Sequence, residues 1–146
     1  MKRTALDSSV LVAGLLAWHE AHERTHRSLV RARSGGTDSL VIPAPALVEA
    51  YAVMTRLPAP HRIAPADARE LLAGSFERSS RVVSLSETET WRFLHHAADD
   101  EIAGGRTYDA LILRCARKAR ATSLLTLDRR DFSRFDPGDI RIVVPT

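Results

Sequence analysis

Four acidic residues stand where this sequence passes from one local pattern to the next: Asp7, Glu49, Asp109 and Asp128. Asp7 directly follows a short extended segment, and Asp128 directly follows a run that begins at Ser123. Glu49 falls in the first turn or two of a helical pattern, and Asp109 in the first turn of another. Carboxylates brought together repel, so one or more stays protonated unless a cation compensates. The cations suited to an all-oxygen set are Mg2+ and Mn2+. One or two such ions can activate water and offset charge on a phosphate and its leaving oxygen, which is the chemistry of phosphodiester hydrolysis. Each acid taken alone also has a structural reading. Asp7 suits an N-cap, Glu49 a helix-dipole partner and Asp128 a turn. Asp109 lies between Tyr108 and Ala110-Leu111-Ile112, at the border of an apolar stripe where an unpaired carboxylate is costly.

The elements that must position these acids alternate between extended and helical patterns. Residues 2–6 read as a strand ended by Asp7; Ser8 or Ser9 can cap a helix, and residues 10–17 are apolar nearly all round. A second helix over 18–33 places Trp18, Ala21, Thr25, Leu29 and Ala32 on one face, before a loop at 34–39. Residues 40–42 form a strand, and Pro43 ends it. Pro45 suits the first turn of a helix carrying Leu47, Ala50, Tyr51, Met54 and Leu57, which Leu57-Pro58-Ala59-Pro60 stops. A helix over 65–78 and a strand over 82–85 follow, then an acidic, capped helix start at Ser86-Glu87-Thr88-Glu89. That helix ends before Gly104-Gly105. Another begins around Arg106, with Tyr108, Leu111, Ile112, Cys115, Ala116 and Ala119 on its apolar face. Strands at 123–127 and 140–144 complete the pattern. Strands separated by helices predict an α/β fold, with a mainly parallel sheet covered on both faces. Ligands of such sheets bind beyond the carboxyl ends of the strands. With the first and fourth strands as neighbours, the four acids converge at one edge of the sheet.

A length of 146 residues fits one domain, 1–146, and 45% hydrophobic with 27% charged residues excludes a disordered chain. Cys115 is the only cysteine, so no intrachain disulfide forms and a reducing cytoplasm is the expected compartment. The apolar run at the start is broken by Asp7, which does not suit a signal peptide. No run approaches the ~18 apolar residues of a membrane span. Net charge is +3, and Lys2 and Lys118 are the only lysines. Arginine suits bidentate contacts with phosphate, although GC-rich codons produce the same bias. There is no internal repeat, no low-complexity tract, and no GxGxxG or P-loop motif.

Four segments resemble the PIN-domain nucleases, particularly VapC-type toxins of bacterial toxin–antitoxin systems. They are Leu6-Asp7-Ser8-Ser9-Val10-Leu11-Val12, Pro45-Ala46-Leu47-Val48-Glu49, Gly105 through Ile112, and Leu125 through Phe132. They run in family order and span nearly the whole chain. The resemblance implies a three-layer α/β/α PIN-like domain and Mg2+- or Mn2+-dependent cleavage of RNA. By matching position, Asp7 and Asp109 are the core metal ligands, and Glu49 and Asp128 complete the pocket directly or through waters. Ser8 and Thr126 match supporting hydroxyl residues, and Asp131 is a peripheral acid. The mechanism the resemblance implies is in-line attack of a metal-bound water on the phosphorus, leaving a 5′-phosphate and a 3′-hydroxyl. The resemblance also implies a homodimer and a cognate antitoxin that wraps the toxin and blocks its site. The alternative is a non-catalytic PIN-like module that binds RNA or protein.

Other features carry less. His19, His22 and His26 are spaced for a transition metal, but Glu20, Glu23 and Arg24 among them suit a solvated face. His95 and His96 are adjacent and point apart. Cys115 suits the core, and Trp18 and Trp91 suit packing or an interface. Arg114, Arg117, Lys118, Arg120, Arg129 and Arg130 either guide RNA phosphates or form a solvated surface. A haloacid-dehalogenase site wants a second Asp where Ser9 stands, and Lys118 is misplaced for a phospho-receiver domain. A DNA nuclease of related architecture usually carries extra acids and longer insertions.

Overall fold

The computed structural model describes residues 2–146. Five short strands, β1 (Thr4–Leu6), β2 (Leu40–Pro43), β3 (Arg81–Val83), β4 (Ser123–Leu125) and β5 (Arg141–Val143), form one parallel sheet in the order β3-β2-β1-β4-β5. Seven α-helices connect them: α1 (Ser8–Leu15), α2 (His22–Arg33), α3 (Ala44–Thr55), α4 (Pro65–Leu72), α5 (Glu87–Asp99), α6 (Arg106–Lys118) and α7 (Arg129–Phe132). Side chains alternate across a strand. Leu6, Leu40, Ile42 and Leu125 therefore enter one core with residues of α1 to α4, while Ala5 and Leu124 enter a second with α6 and Phe132 of α7. The result is the expected three-layer α/β/α arrangement.

The helix starts follow local chemistry. Pro45 and Pro65 lie at first-turn positions of α3 and α4, and Ser86 and Glu89 form a capping box on α5. Gly14 lets α1 approach α2, since a Cβ there would stand 2.6 Å from Cδ1 of Leu29. Several predicted boundaries shift. The second helix starts at His22 rather than residue 18, because His19 N–H donates to Leu16 O, His22 N–H to His19 O, and Ala21 N–H to His19 Nδ1. These turns take Trp18 off the helix, leaving it half-exposed and stacked on His61 at 4.1 Å. The helix expected over 65–78 gives way after Leu72 to a π-type turn, Ala73–Glu77. The fourth strand stops at Leu125, so Thr126 and Leu127 belong to the turn that enters the site. The four-residue α7, anchored by the buried Phe132, is an addition. Among the described residues no helix is long and apolar enough to cross a membrane.

Candidate active site

Strand order decides the site. β1 pairs with β4 in a register that sets Leu6 opposite Leu125, so Asp7 and Thr126 leave the sheet side by side. The Asp7 N–H donates to Leu125 O at 3.0 Å. Asp7 is only 4% exposed, and it is the N-cap of α1, its Oδ1 accepting from the Ser8 N–H at 2.8 Å. Its other oxygen, Oδ2, accepts from the Thr126 hydroxyl at 2.8 Å and the Ser9 hydroxyl at 3.0 Å. The cap reading and the site reading therefore describe one side chain. Ser8, also buried, donates its hydroxyl to Oε1 of Glu49 on α3.

Asp109 and Asp131 rise from the first turns of α6 and α7, and Asp128 is the residue that begins α7. The Asp128 side chain makes no cap hydrogen bond, while its carbonyl accepts the Asp131 N–H at 3.0 Å in the turn into α7; its own N–H donates to Thr126 Oγ1 at 3.0 Å. Burial pushes the Asp109 carboxyl up to about 7, helped by the charges of Asp131, Asp7, Glu49 and Asp128. Asp7 is also raised, chiefly by burial, against the pull of its three hydrogen bonds. Asp128 is raised by burial and then by Asp131 and Glu49. The four expected acids thus share one electrostatic neighbourhood. Asp131, expected as peripheral, is the largest charge acting on both Asp109 and Asp128.

Among the described residues the ion pairs are Arg81–Asp38 and Lys118–Glu89, so no lysine or arginine neutralises the acids of the site. An all-carboxylate set held partly out of water fits a hard divalent cation. No three His, Cys, Asp or Glu side chains among the described residues are gathered around one point as they stand. The oxygens of Asp7 and Glu49 are turned to hydroxyl donors as they stand.

Ser9 is the residue that sequence reasoning missed in this role. Its hydroxyl donates to Asp7 and accepts from the Leu127 N–H at 3.0 Å, tying the ends of β1 and β4 together. A second serine two residues after the aspartate is the signal that could have found it. The histidines stay outside the site: His22 Nδ1 meets Ala13 O at 2.9 Å, and its ring stacks on His26. Cys115 is buried in α6 and its thiol is pushed up to about 11 by burial, as a core residue would be.

The PIN domain family pattern matches residues 4–137. The chain is 41% identical over 142 residues to Ribonuclease VapC40 of Mycobacterium tuberculosis, covering 97% of this chain and 98% of that protein. It is 34% identical over 145 residues to Ribonuclease VapC27 of the same organism, covering 96% and 95%. In fold it is similar to VapBC2 from Rickettsia felis bound to a promoter DNA fragment (TM-score 0.68, 16% identity, 98% of each chain). It is likewise similar to DNA-bound VapBC from Salmonella typhimurium (TM-score 0.66, 18% identity, 99% of this chain and 98% of that one). Matched along nearly its whole length by both the family pattern and these relatives, the chain belongs to the PIN-domain family, among its VapC-type members.

Proposed function

We propose that this chain is a single nuclease unit that cleaves RNA endonucleolytically with Mg2+ or Mn2+, as the toxin of a toxin–antitoxin pair. The observation that carries the reading is the concentration of raised carboxyls at the ends of β1 and β4 and the start of α6, with no ion pair to a basic side chain among the described residues. The relatives named as ribonucleases supply the substrate class. Asp7 and Asp109 are the proposed direct ligands, with Glu49 and Asp128 completing the set and Asp131 adding charge beside them.

A divalent ion held there supplies charge to offset the scissile phosphate and makes a water more acidic. The protein's part is preorganisation. Thr126, Ser9 and the Ser8 N–H fix both oxygens of Asp7, and Ser8 holds Glu49 toward the same space. Asp109, with its raised carboxyl, can hold a proton near neutrality until a cation displaces it. The solved neighbours include toxin–antitoxin assemblies, which supports a protein partner that covers the site. A basic side chain from that partner would meet the same unneutralised charge. Exposed Trp91 and Leu94 on α5 offer apolar surface for a second copy, and a cytoplasmic homodimer is part of the proposal.

The test is cleavage of total cellular RNA by the purified chain, freed of co-purifying protein, with Mg2+, with Mn2+ and with EDTA. Asp7→Asn and Asp109→Asn, checked for folding, should abolish cutting, as should EDTA. Cleavage that persists in both variants would end the reading.

A further inference from the structure

We infer that the cleft between α5, α6 and the segment after α7 is a phosphate-binding subsite for the RNA strand, built from Arg106, Arg114, Arg117 and Arg134. The inference rests on the ribonuclease reading above. The cleft has a volume of about 650 Å3, and all four arginines line it. Three come from α6, at spacings of eight and three that keep them near one face, and Arg134 follows α7. Asp100 and Asp136 also line it, yet among the described residues neither reaches an arginine within ion-pair distance. Asp136 instead accepts from the Gly138 N–H through its Oδ1.

The guanidiniums are held, but not by anions. Arg106 lies over the Phe135 ring at 5.5 Å and Arg114 over Phe93 at 5.9 Å. Aromatic packing of this kind fixes the plane of a guanidinium and leaves its edge donors free. Arg106 Nε is buried with no hydrogen-bond partner, an unmet donor that an acceptor in the cleft reaches only if the side chain shifts. Arg117 donates to the backbone Asp136 O and Arg114 meets His96 Nδ1, neither of them a carboxylate. Four fork-shaped cations around one cleft fit phosphate oxygens, which accept such donors in pairs.

The placement favours the RNA strand over an acidic protein segment. α6 carries Asp109 three residues after Arg106, and the α7 region carries Asp131 three residues before Arg134. Two of the elements that bring acids to the centre, α6 and the α7 region, also bring arginines to the cleft. At about 1.5 Å per helical residue, Arg117 lies roughly 12 Å along the axis from Asp109. A strand with one phosphate at the acids would therefore bring a phosphate further along, rather than the adjacent one, against Arg117. Other basic residues of this region are engaged elsewhere: Lys118 with Glu89 and Ser84 O, Arg129 with Ile142 O.

The experiment is equilibrium binding of a labelled single-stranded RNA oligonucleotide in EDTA, where the strand stays intact, across a series of KCl concentrations. Arg117→Gln/Arg134→Gln is compared with Arg27→Gln/Arg78→Gln, and Arg106→Gln with Arg27→Gln, controls that remove equal charge from exposed positions elsewhere, after each is shown to melt as the wild type does. The cleft variants should bind several-fold more weakly, with the slope of log K against log salt shallower by about 0.7 for each phosphate left without its arginine. The matched control should change neither as much. Wild-type affinity and slope in the cleft variants, while the wild type still binds and cuts RNA, overturns the subsite and leaves the ribonuclease reading standing. Variants that keep RNA but lose an acidic peptide such as polyglutamate would make the cleft a protein site, which also overturns it. A wild type that neither binds nor cuts RNA removes the ribonuclease reading, and the subsite with it.

Discussion

The Thr126 hydroxyl, wholly buried, donates to Oδ2 of Asp7 at 2.8 Å while accepting the N–H of Asp128 at 3.0 Å. One side chain thus links two proposed ligands that lie at opposite ends of the chain. Thr126→Val keeps the shape and removes both bonds, leaving a buried carboxylate and a backbone donor short of partners. The expected loss is about 1–3 kcal/mol in urea denaturation, with reduced cleavage. Thr126→Ser, which retains the hydroxyl, should recover most of both. Equal loss in the serine variant would mean that the methyl group matters rather than the bond.

Asp109→Asn should make the metal-free protein more stable while abolishing activity. The carboxyl is pushed up to about 7 by burial and by four neighbouring acids, so its ionised form is disfavoured where it stands. An amide has no charge to repel. Because the group is only partly buried, solvent screening limits the gain to on the order of 1–2 kcal/mol near neutral pH. Thermal melts of both proteins in EDTA measure it. A less stable asparagine variant would show that Asp109 makes structural contacts that outweigh the repulsion.

The same carboxyl sets a pH dependence. Its folded value of about 7 lies above the usual 3.8, so the folded protein retains a proton that the unfolded chain has released. That contribution to stability is complete below pH 3.8 and is lost as pH rises to and through about 7. A divalent cation competes with the proton and restores stability in the range where the proton is gone. Mg2+ should therefore raise the melting temperature more on the alkaline side of this transition than on the acid side, and the difference should disappear in Asp109→Asn. A pH-independent effect of Mg2+ would place the ion elsewhere.

The sheet can be read in advance because parallel strands buried on both faces leave short apolar runs such as Leu40-Val41-Ile42, closed by proline or an acid. The site follows from the acids at those exits, given the β1–β4 pairing that strand order alone supplies. Local competition hides the rest. Trp18 continues the helical period of Ala21, Thr25 and Leu29, yet the His19 ring captures the Ala21 N–H and delays the helix. α7 is too short to show a period and forms around Phe132, whose burial is a tertiary effect. The weight of Asp131 is hidden for the same reason, since α7 is what turns it toward Asp109.

Glu89 provides a test of the scaffold away from the chemistry. It closes the capping box of α5, its Oε1 accepting from the Ser86 N–H at 2.8 Å, and the same oxygen meets Lys118 Nζ at 2.6 Å at the end of α6. Lys118 also donates to Ser84 O, so three elements join there. These bonds, Lys118 first, hold the Glu89 carboxyl down at about 2 from its usual 4.5. With the folded value below the unfolded one, the stabilisation is present above pH 4.5 and is lost as pH falls through about 2. Glu89→Gln should accordingly lower the melting temperature near neutrality, and its deficit against the wild type should shrink as the pH is taken down through that window. Lys118→Met should reproduce part of the neutral-pH deficit. A deficit that stays constant down to the lowest pH would assign the role of Glu89 to helix capping alone, with no contribution from the charge pair.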